Sequence, residues 1–210
     1  MASPINRKPI MTLYCEADDP YSHRTRIVLF EKDVECRIVE VDLNKKPREL
    51  ADLNPYLQVP TIVDRDLVLY DSLIINEYLD ERLPHPPLMP VDPVSRGRAR
   101  LMLMRFDRDW YGLLPQITSG ERRVVTRARN VIRDGLTVIS QIFKEQPYVL
   151  GDDFSLVDCC LAPILWRLGA YGINLPRQAK PILDYAERIF ERKSFKLSLT
   201  ETEREIRADK

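Results

Sequence analysis

Tyr14, Cys15, Asp19 and Ser22 crowd into the stretch "LYCEADDPYSHRTRIVLFEK" and are the residues best placed for sulfur chemistry. A thiolate is favoured at the start of a helix, where unpaired N–H groups and the helix dipole favour an anion. A free thiol of pKa about 8.5 is only a few per cent ionised at pH 7, and lowering it by two units takes about 2.7 kcal/mol of thiolate stabilisation. Asp19 opposes this, because two like charges about 4 Å apart repel by roughly 4 kcal/mol at an effective dielectric near 20. Three arrangements would escape that repulsion: Asp19 could turn to cap the helix, Tyr14 or Ser22 could donate to sulfur, or Cys15 could be the nucleophile. Asp19-Pro20 is also a good N-cap followed by a favoured first helical residue.

The four cysteines, Cys15, Cys36, Cys159 and Cys160, form no CxxC pair, and with only His23 and His85 beside them no metal-ligand spacing arises. Reduced, mostly buried thiols are expected. Composition suits a folded protein, with 44% apolar, 30% charged and 8% aromatic residues. Zero net charge does not suit a stand-alone nucleic-acid binder driven by a basic surface. Charge is uneven along the chain: residues 1–81 carry 10 basic and 16 acidic groups, and residues 82–150 carry 12 and 6. Ten arginines between Val94 and Arg133 face only Asp107, Asp109 and Glu121. Solvated helix faces account for such a run, and so would attraction to an acidic protein surface. No run of 18 apolar residues and no signal-peptide pattern is present, so no membrane association and a cytoplasmic location are expected.

The elements that position these groups read as βαβαββα over the first 82 residues. "IMTLYC" suits a buried strand, and a helix over Ser22–Lys32 places Ile27, Val28 and Phe30 inward with Arg24 and Arg26 between turns. "VECRIVEVD" is β-branched, and Pro47 opens a short helix ending near Leu53. "PTIV" and "LVLY" flank a hairpin turn at Asp64-Arg65-Asp66, and Ser72 caps a helix to Arg82 with Ile75, Tyr78 and Leu79 core-facing. "PHPPLMPVDP" holds five prolines, so neither helix nor central strand crosses it. This sets the expected division: an α/β domain over 1–82, a Pro-rich linker over 83–92 and an all-helical domain over 93–210. In the last, Asp92-Pro93 starts a helix over Val94–Leu114, a further helix covers Arg122–Phe143, and the last helix is expected over roughly Pro181–Arg192. Ser155 and Asp158 form a capping box for a helix that Pro163 should kink or leave with an unpaired carbonyl, and the polar tail after Thr200 is expected to fray.

With "VPTIVDRDLVLYDS" and "FSLVDCCLAPILWRL" added to "YSHRTRIVLFEK" and "PHPPLMP", nearly the whole chain resembles the stringent starvation protein A family, which is built on the glutathione S-transferase fold. The resemblance implies a thioredoxin-like N-terminal domain, a helical C-terminal domain and a homodimer. Alignment on Arg24-Thr25-Arg26 puts Asp19 in the slot that serine- and cysteine-type transferases fill. Val59-Pro60 matches the cis proline that presents a peptide-like substrate, and Asp71-Ser72 matches the pair that receives its carboxylate and amine. Asp19, Val59, Pro60, Asp71 and Ser72 are therefore candidate vestigial glutathione-site positions, each with a sufficient structural role as well.

Pro84, His85 and Pro86, with Pro87 beside them, match the segment that the family implies as a contact for the transcription machinery. The prolines stiffen it, presenting the imidazole beside Leu88 and Met89 at low entropy cost. The expected protein is a non-enzymatic regulator without cofactor or metal. It would bind RNA polymerase holoenzyme, including sigma factor, and alter promoter use under starvation or acid stress, with promoter DNA near only inside that complex. The competing reading is a glutathione-dependent transferase or thiol reductase.

Overall fold

The computed structural model describes residues 10–207. A four-stranded mixed sheet of order β2-β1-β3-β4 forms from β1 (Met11–Cys15), β2 (Cys36–Glu40), β3 (Thr61–Asp64) and β4 (Leu67–Tyr70). β1 pairs parallel with β2, with Leu13 opposite Ile38, and antiparallel with β3, with Leu13 opposite Ile62. Leu13 and Ile62 are buried, so this register sends one face of the sheet into the core. Helices α1 (Pro20–Glu31), α2 (Arg48–Leu53) and α3 (Ser72–Arg82) complete the thioredoxin-like βαβαββα unit.

The remaining described elements are helical: α4 (Pro93–Asp109), α5 (Leu114–Ser119), α6 (Arg122–Ile139), α7 (Leu156–Trp166), α8 (Lys180–Phe190), α9 (Lys193–Ser198) and α10 (Glu201–Glu205). The first long helix stops early, at Asp109, where Trp110 leaves helical geometry and a 3₁₀ turn over Tyr111–Leu113 leads into α5. Likewise α6 tightens into a 3₁₀ segment over Ser140–Lys144 instead of running unbroken to Phe143. α7 keeps its helical span through Pro163, whose ring removes the N–H that would meet the Cys159 carbonyl. Packing surrounds this place, and the Tyr111 hydroxyl donates to the next carbonyl, Cys160 O, at 2.7 Å.

α1 is the pivot of the molecule. It packs against α3, α7 and α9, and every residue from Ser22 to Leu29 is buried. Such burial suits Ile27, Val28 and Leu29 but requires partners for His23, Arg24 and Arg26, since an unpaired buried charge is very costly. The expectation that Arg24 and Arg26 lie between turns on an ordinary amphipathic helix therefore fails: they are 1% and 2% exposed.

The partners come from distant parts of the chain. Arg24 donates from Nε to Ser72 Oγ (2.8 Å), from Nη1 to Cys160 Sγ (3.2 Å) and from Nη2 to Asp107 (2.7 Å), with its guanidinium over the Tyr111 ring. Arg26 donates to the Ser198 carbonyl at 2.9 Å and to Glu203 Oε1 at 2.7 Å. Arg167 donates to the same Glu203 oxygen, to Asp18 O and to His23 Nδ1 at 2.9 Å. Ser198 donates its hydroxyl to Phe195 O, so the His23 Nε2–H donates to Ser198 Oγ at 3.1 Å and Nδ1 is left as an acceptor. This tautomer is neutral, and burial followed by the Arg167 and Arg26 charges pushes the His23 pKa well below its ordinary value.

The tail carries the keystone of that network. Far from fraying, Thr200 and Glu203 form a reciprocal capping box on α10, and Glu203 is fully buried. Its carboxylate answers two guanidiniums from two other helices, which anchors the end of the described chain against α1 and α7.

Candidate functional site

Most of the sulfur-chemistry locus is folded into structural work, the exception being the Ser22 hydroxyl, which is buried without a hydrogen-bond partner. The Asp19 carboxylate accepts from the Ser22 N–H at 2.6 Å as the N-cap of α1, so the amide that would greet a thiolate is already engaged. Burial raises the Asp19 pKa and the Ser22 hydrogen bonding opposes the rise. Tyr14 donates its hydroxyl to Glu49, and burial together with that carboxylate lifts its pKa to about 12. Cys15 has no solvent exposure, and burial, ahead of the opposing Arg26 charge, raises its thiol pKa. Cys159 and Cys160 are likewise buried with raised pKa, and all four cysteines are free. No group of three metal-ligating side chains occurs among the described residues.

The remaining positions of that locus divide between kept backbone shape and altered side-chain roles. Val59-Pro60 is cis, with Pro60 buried and Val59 half-buried. The helix cap is Asp71 rather than Ser72: Asp71 sits at φ 71°, outside α3, and accepts from the Leu73 N–H at 2.8 Å. Ser72 is the first helical residue, and its buried hydroxyl accepts from Arg24. The positive φ at Asp71 aims the carboxylate at the open helix end, which is why the more strongly predicted serine is displaced.

The second locus is the proline segment between α3 and α4. Pro84, His85, Pro86 and Pro87 are exposed, and the His85-Pro86 bond is cis. The segment is a strap held from beneath. Lys32, at the end of α1, donates to Asp80 at 2.6 Å and to the Pro86 carbonyl, and the Leu88 N–H donates to the same Asp80 oxygen at 2.7 Å. The Leu88 carbonyl accepts from Leu156 N at 2.8 Å, which ties the strap to the start of α7. Leu88 and Met89 do not flank the imidazole on the surface as expected, being 2% and 6% exposed and part of the core. Their burial anchors the strap while the four residues before them stay in solvent.

A cleft of about 690 Å³ opens beside the strap. Pro86 to Val91 form one wall, and Tyr148, Leu150 and the Asp152–Ser155 segment form the other. Asp158 fixes that second wall, accepting from Val149 N (3.0 Å), Ser155 N (2.9 Å), Ser155 Oγ (2.7 Å) and Tyr185 OH (2.8 Å). Gly151, at φ 126°, closes the turn with a two-way backbone pairing to Tyr148. Arg192 spans the floor, bonded to Glu31 at 2.8 Å and 4.0 Å from the Phe154 ring centroid. Reading the sequence for motifs missed this wall, for which the Ser155/Asp158 box was the only local signal.

The arginine run between α4 and α6 is partly consumed within the fold. Asp107 answers Arg24, and Arg100 makes a two-pronged contact with Glu77 of α3 at 2.7 and 3.0 Å. Arg105, Arg108 and Arg127 edge an apolar groove of about 840 Å³ floored by Met102, Phe106 and Val131. No described helix is long and apolar enough to cross a membrane.

Two family models, "Glutathione S-transferase, N-terminal domain" and "Glutathione S-transferase, C-terminal domain", match residues 20–82 and 122–188. The chain is 48% identical to a stringent starvation protein A homolog of Coxiella burnetii, over 96% of this chain and 97% of the relative. It is 46% identical to the homolog from Haemophilus influenzae, over 96% and 95%. Its fold is similar to that of glutathione transferase Omega 3C from Trametes versicolor, with a TM-score of 0.80 at 27% identity over 91% of this chain and 84% of that one.

Proposed function

The chain belongs to the stringent starvation protein A family, on the glutathione S-transferase fold, and from that membership we propose a non-enzymatic regulator that binds RNA polymerase holoenzyme. It acts in the cytoplasm as a homodimer, contacts the polymerase in its sigma-containing form and changes promoter use under starvation or acid stress. Promoter DNA comes near it only within that complex. The partner-binding surface is centred on Pro84, His85, Pro86 and Pro87, and the working division of the chain is 1–82, 83–92 and 93–210.

The observation that carries this reading is the strap: four exposed residues pinned by Lys32, Asp80 and buried Leu88. A surface rigid before contact loses little conformational entropy on binding. The state of the sulfur locus supports the non-enzymatic half. Asp19 occupies the helix cap, Tyr14 and Ser72 are engaged elsewhere, and Cys15 is out of solvent.

The test is affinity purification of the tagged full-length chain from stressed cells. Polymerase subunits should accompany the wild type and be lost with His85→Ala. Retention of polymerase by that variant would remove the strap from the contact. A thiol-conjugation assay on the same preparation should show background rates, and turnover lost on trimming Tyr14, Ser22 or Cys15 would establish the transferase or thiol reductase instead.

A further inference from the structure

We propose that His23 is a proton-operated latch for the end of the chain: a proton on its Nδ1 frees the segment from Thr200 to Arg207 while the rest of the fold stays packed. The case begins with how that segment is attached. Glu203 is the one buried residue of α10, and Ile206, just beyond the helix, is only half-buried. The anchorage is therefore polar. The Glu203 carboxylate sits on Arg26 and Arg167, the Thr200 hydroxyl donates to the Ala17 carbonyl at 2.7 Å, and the Trp166 indole N–H donates to the Glu203 carbonyl at 2.8 Å. Outside them Arg207 lies over the Trp166 and Phe190 rings and pairs with Glu187. An attachment that depends on one buried carboxylate responds to a change of charge beside it far more than an apolar one would.

His23 touches that attachment from both of its nitrogens. Nε2 meets Ser198 Oγ at 3.1 Å, two residues before Thr200, while Nδ1 accepts from Arg167 Nη1 at 2.9 Å and lies 3.4 Å from Glu203 Oε1. The charges facing the ring already carry an excess of cation. α1 supplies Arg26, the end of α7 supplies Arg167, α10 supplies Glu203, and α9 supplies only the uncharged Phe195 and Ser198. From the turn before α1, Asp18 gives its backbone carbonyl to Arg167, and the Asp19 carboxylate is taken by the Ser22 N–H. Cys15, beside Arg26, stays a neutral thiol because burial raises its pKa. A proton on Nδ1 thus sets a second donor against Arg167 Nη1 and brings a third cation to a carboxylate that serves two. Glu203 has no oxygen to spare, since both guanidiniums hold Oε1 and Oε2 accepts from Thr200 N at 3.1 Å. With the segment freed, the ring meets water and titrates as an ordinary imidazole near pH 6.5. Burial, then the Arg167 and Arg26 charges, hold the docked ring well below that value. Docking is therefore at full strength above pH 6.5, and the docked-to-freed ratio falls by about tenfold per pH unit below it.

Hydrogen exchange of the full-length protein tests this, because protection factors report a freed state even when it is a small minority. Protection of the Leu199–Arg207 amides, corrected for the intrinsic pH dependence of exchange, is compared with that of the α7 amides between pH 7.5 and 4.5. In the wild type, tail protection should fall by about tenfold per pH unit below about 6.5, with α7 unchanged. His23→Gln, which keeps a donor for Ser198 and an acceptor for Arg167, should hold tail protection level across the range. Equal tail protection at pH 7.5 and 4.5 in the wild type overturns the proposal. An equal fall in His23→Gln does so too, by assigning the release to a carboxylate, and a parallel loss in α7 would show global unfolding in place of a local latch. Should His23→Gln fail to fold, the wild-type comparison of tail with α7 still decides.

Discussion

Replacing Glu203 should cost more stability than any other single change near the end of the described chain. The carboxylate is fully buried and answers Arg26 and Arg167, each 2% exposed, while its second oxygen accepts from Thr200 N at 3.1 Å. Glu203→Ala leaves two guanidiniums buried without their anion and opens the α10 capping box. Removing one partner of a buried ion pair costs about 3–5 kcal/mol. That is a large share of a total stability of roughly 5–15 kcal/mol. For a chain of this size about 1 kcal/mol moves the melting midpoint by roughly 2–4 °C, so a loss of roughly 6–20 °C is expected.

Glu203→Gln keeps the shape and one acceptor oxygen and should fall between wild type and alanine. Urea unfolding followed by far-ultraviolet circular dichroism gives the free energies. Arg167→Met, alone and combined with Glu203→Ala, gives the coupling, which should exceed about 1 kcal/mol for groups in direct contact. An alanine variant within about 1 kcal/mol of wild type, with no coupling to Arg167, would refute the assignment of α10 as a structural keystone.

Further outcomes follow from the same geometry. Unfolded His23 takes a proton as pH falls through about 6.5, but the folded ring resists protonation, so its contribution to stability declines by up to about 1.4 kcal/mol per pH unit below that value. His23→Gln keeps a donor for Ser198 and an acceptor for Arg167, and should remove this component from a stability profile measured between pH 7 and 5. Lys32→Met breaks the clamp on Asp80 and Pro86; a loss of about 3 kcal/mol by urea unfolding and weaker polymerase retention are expected, although no strap residue is altered. Asp19→Ser retains a good helix cap while removing the carboxylate, so it is the variant in which retention on glutathione resin should rise above wild type. Equal retention by the two proteins would show that the carboxylate is not what weakens thiol binding there.

Local signals carried far in this chain. The βαβαββα order of the first 82 residues, the caps at Asp19 and Asp92 and the Ser155/Asp158 box each follow from local patterns, and each took its expected form. What the sequence hid depends on separation. Arg24, Arg26 and His23 look like polar helix positions until Asp107, Arg167 and Glu203 are brought to them from the second half of the chain. The same blindness made the tail look loose, because Glu203 gains its role only from two distant guanidiniums. Ser72 lost the cap to Asp71 through backbone shape, since nothing in a serine-first reading announces a positive φ one residue earlier. The cleft wall was hidden for a third reason: Asp158 reads as a helix-start residue, yet two of its four hydrogen bonds reach outside the box to Val149 and Tyr185.

Arg24 touches α3, α4 and α7 through a single guanidinium, and this bears on how the protein can be dissected. A fragment ending after α3 would expose a helix face carrying His23, Arg24 and Arg26 stripped of Asp107, Arg167 and Glu203, so halves expressed separately would report on misfolding rather than on division of labour. Mapping which surface does what therefore belongs to point changes in solvent-facing side chains, with the intact chain as the smallest useful reagent.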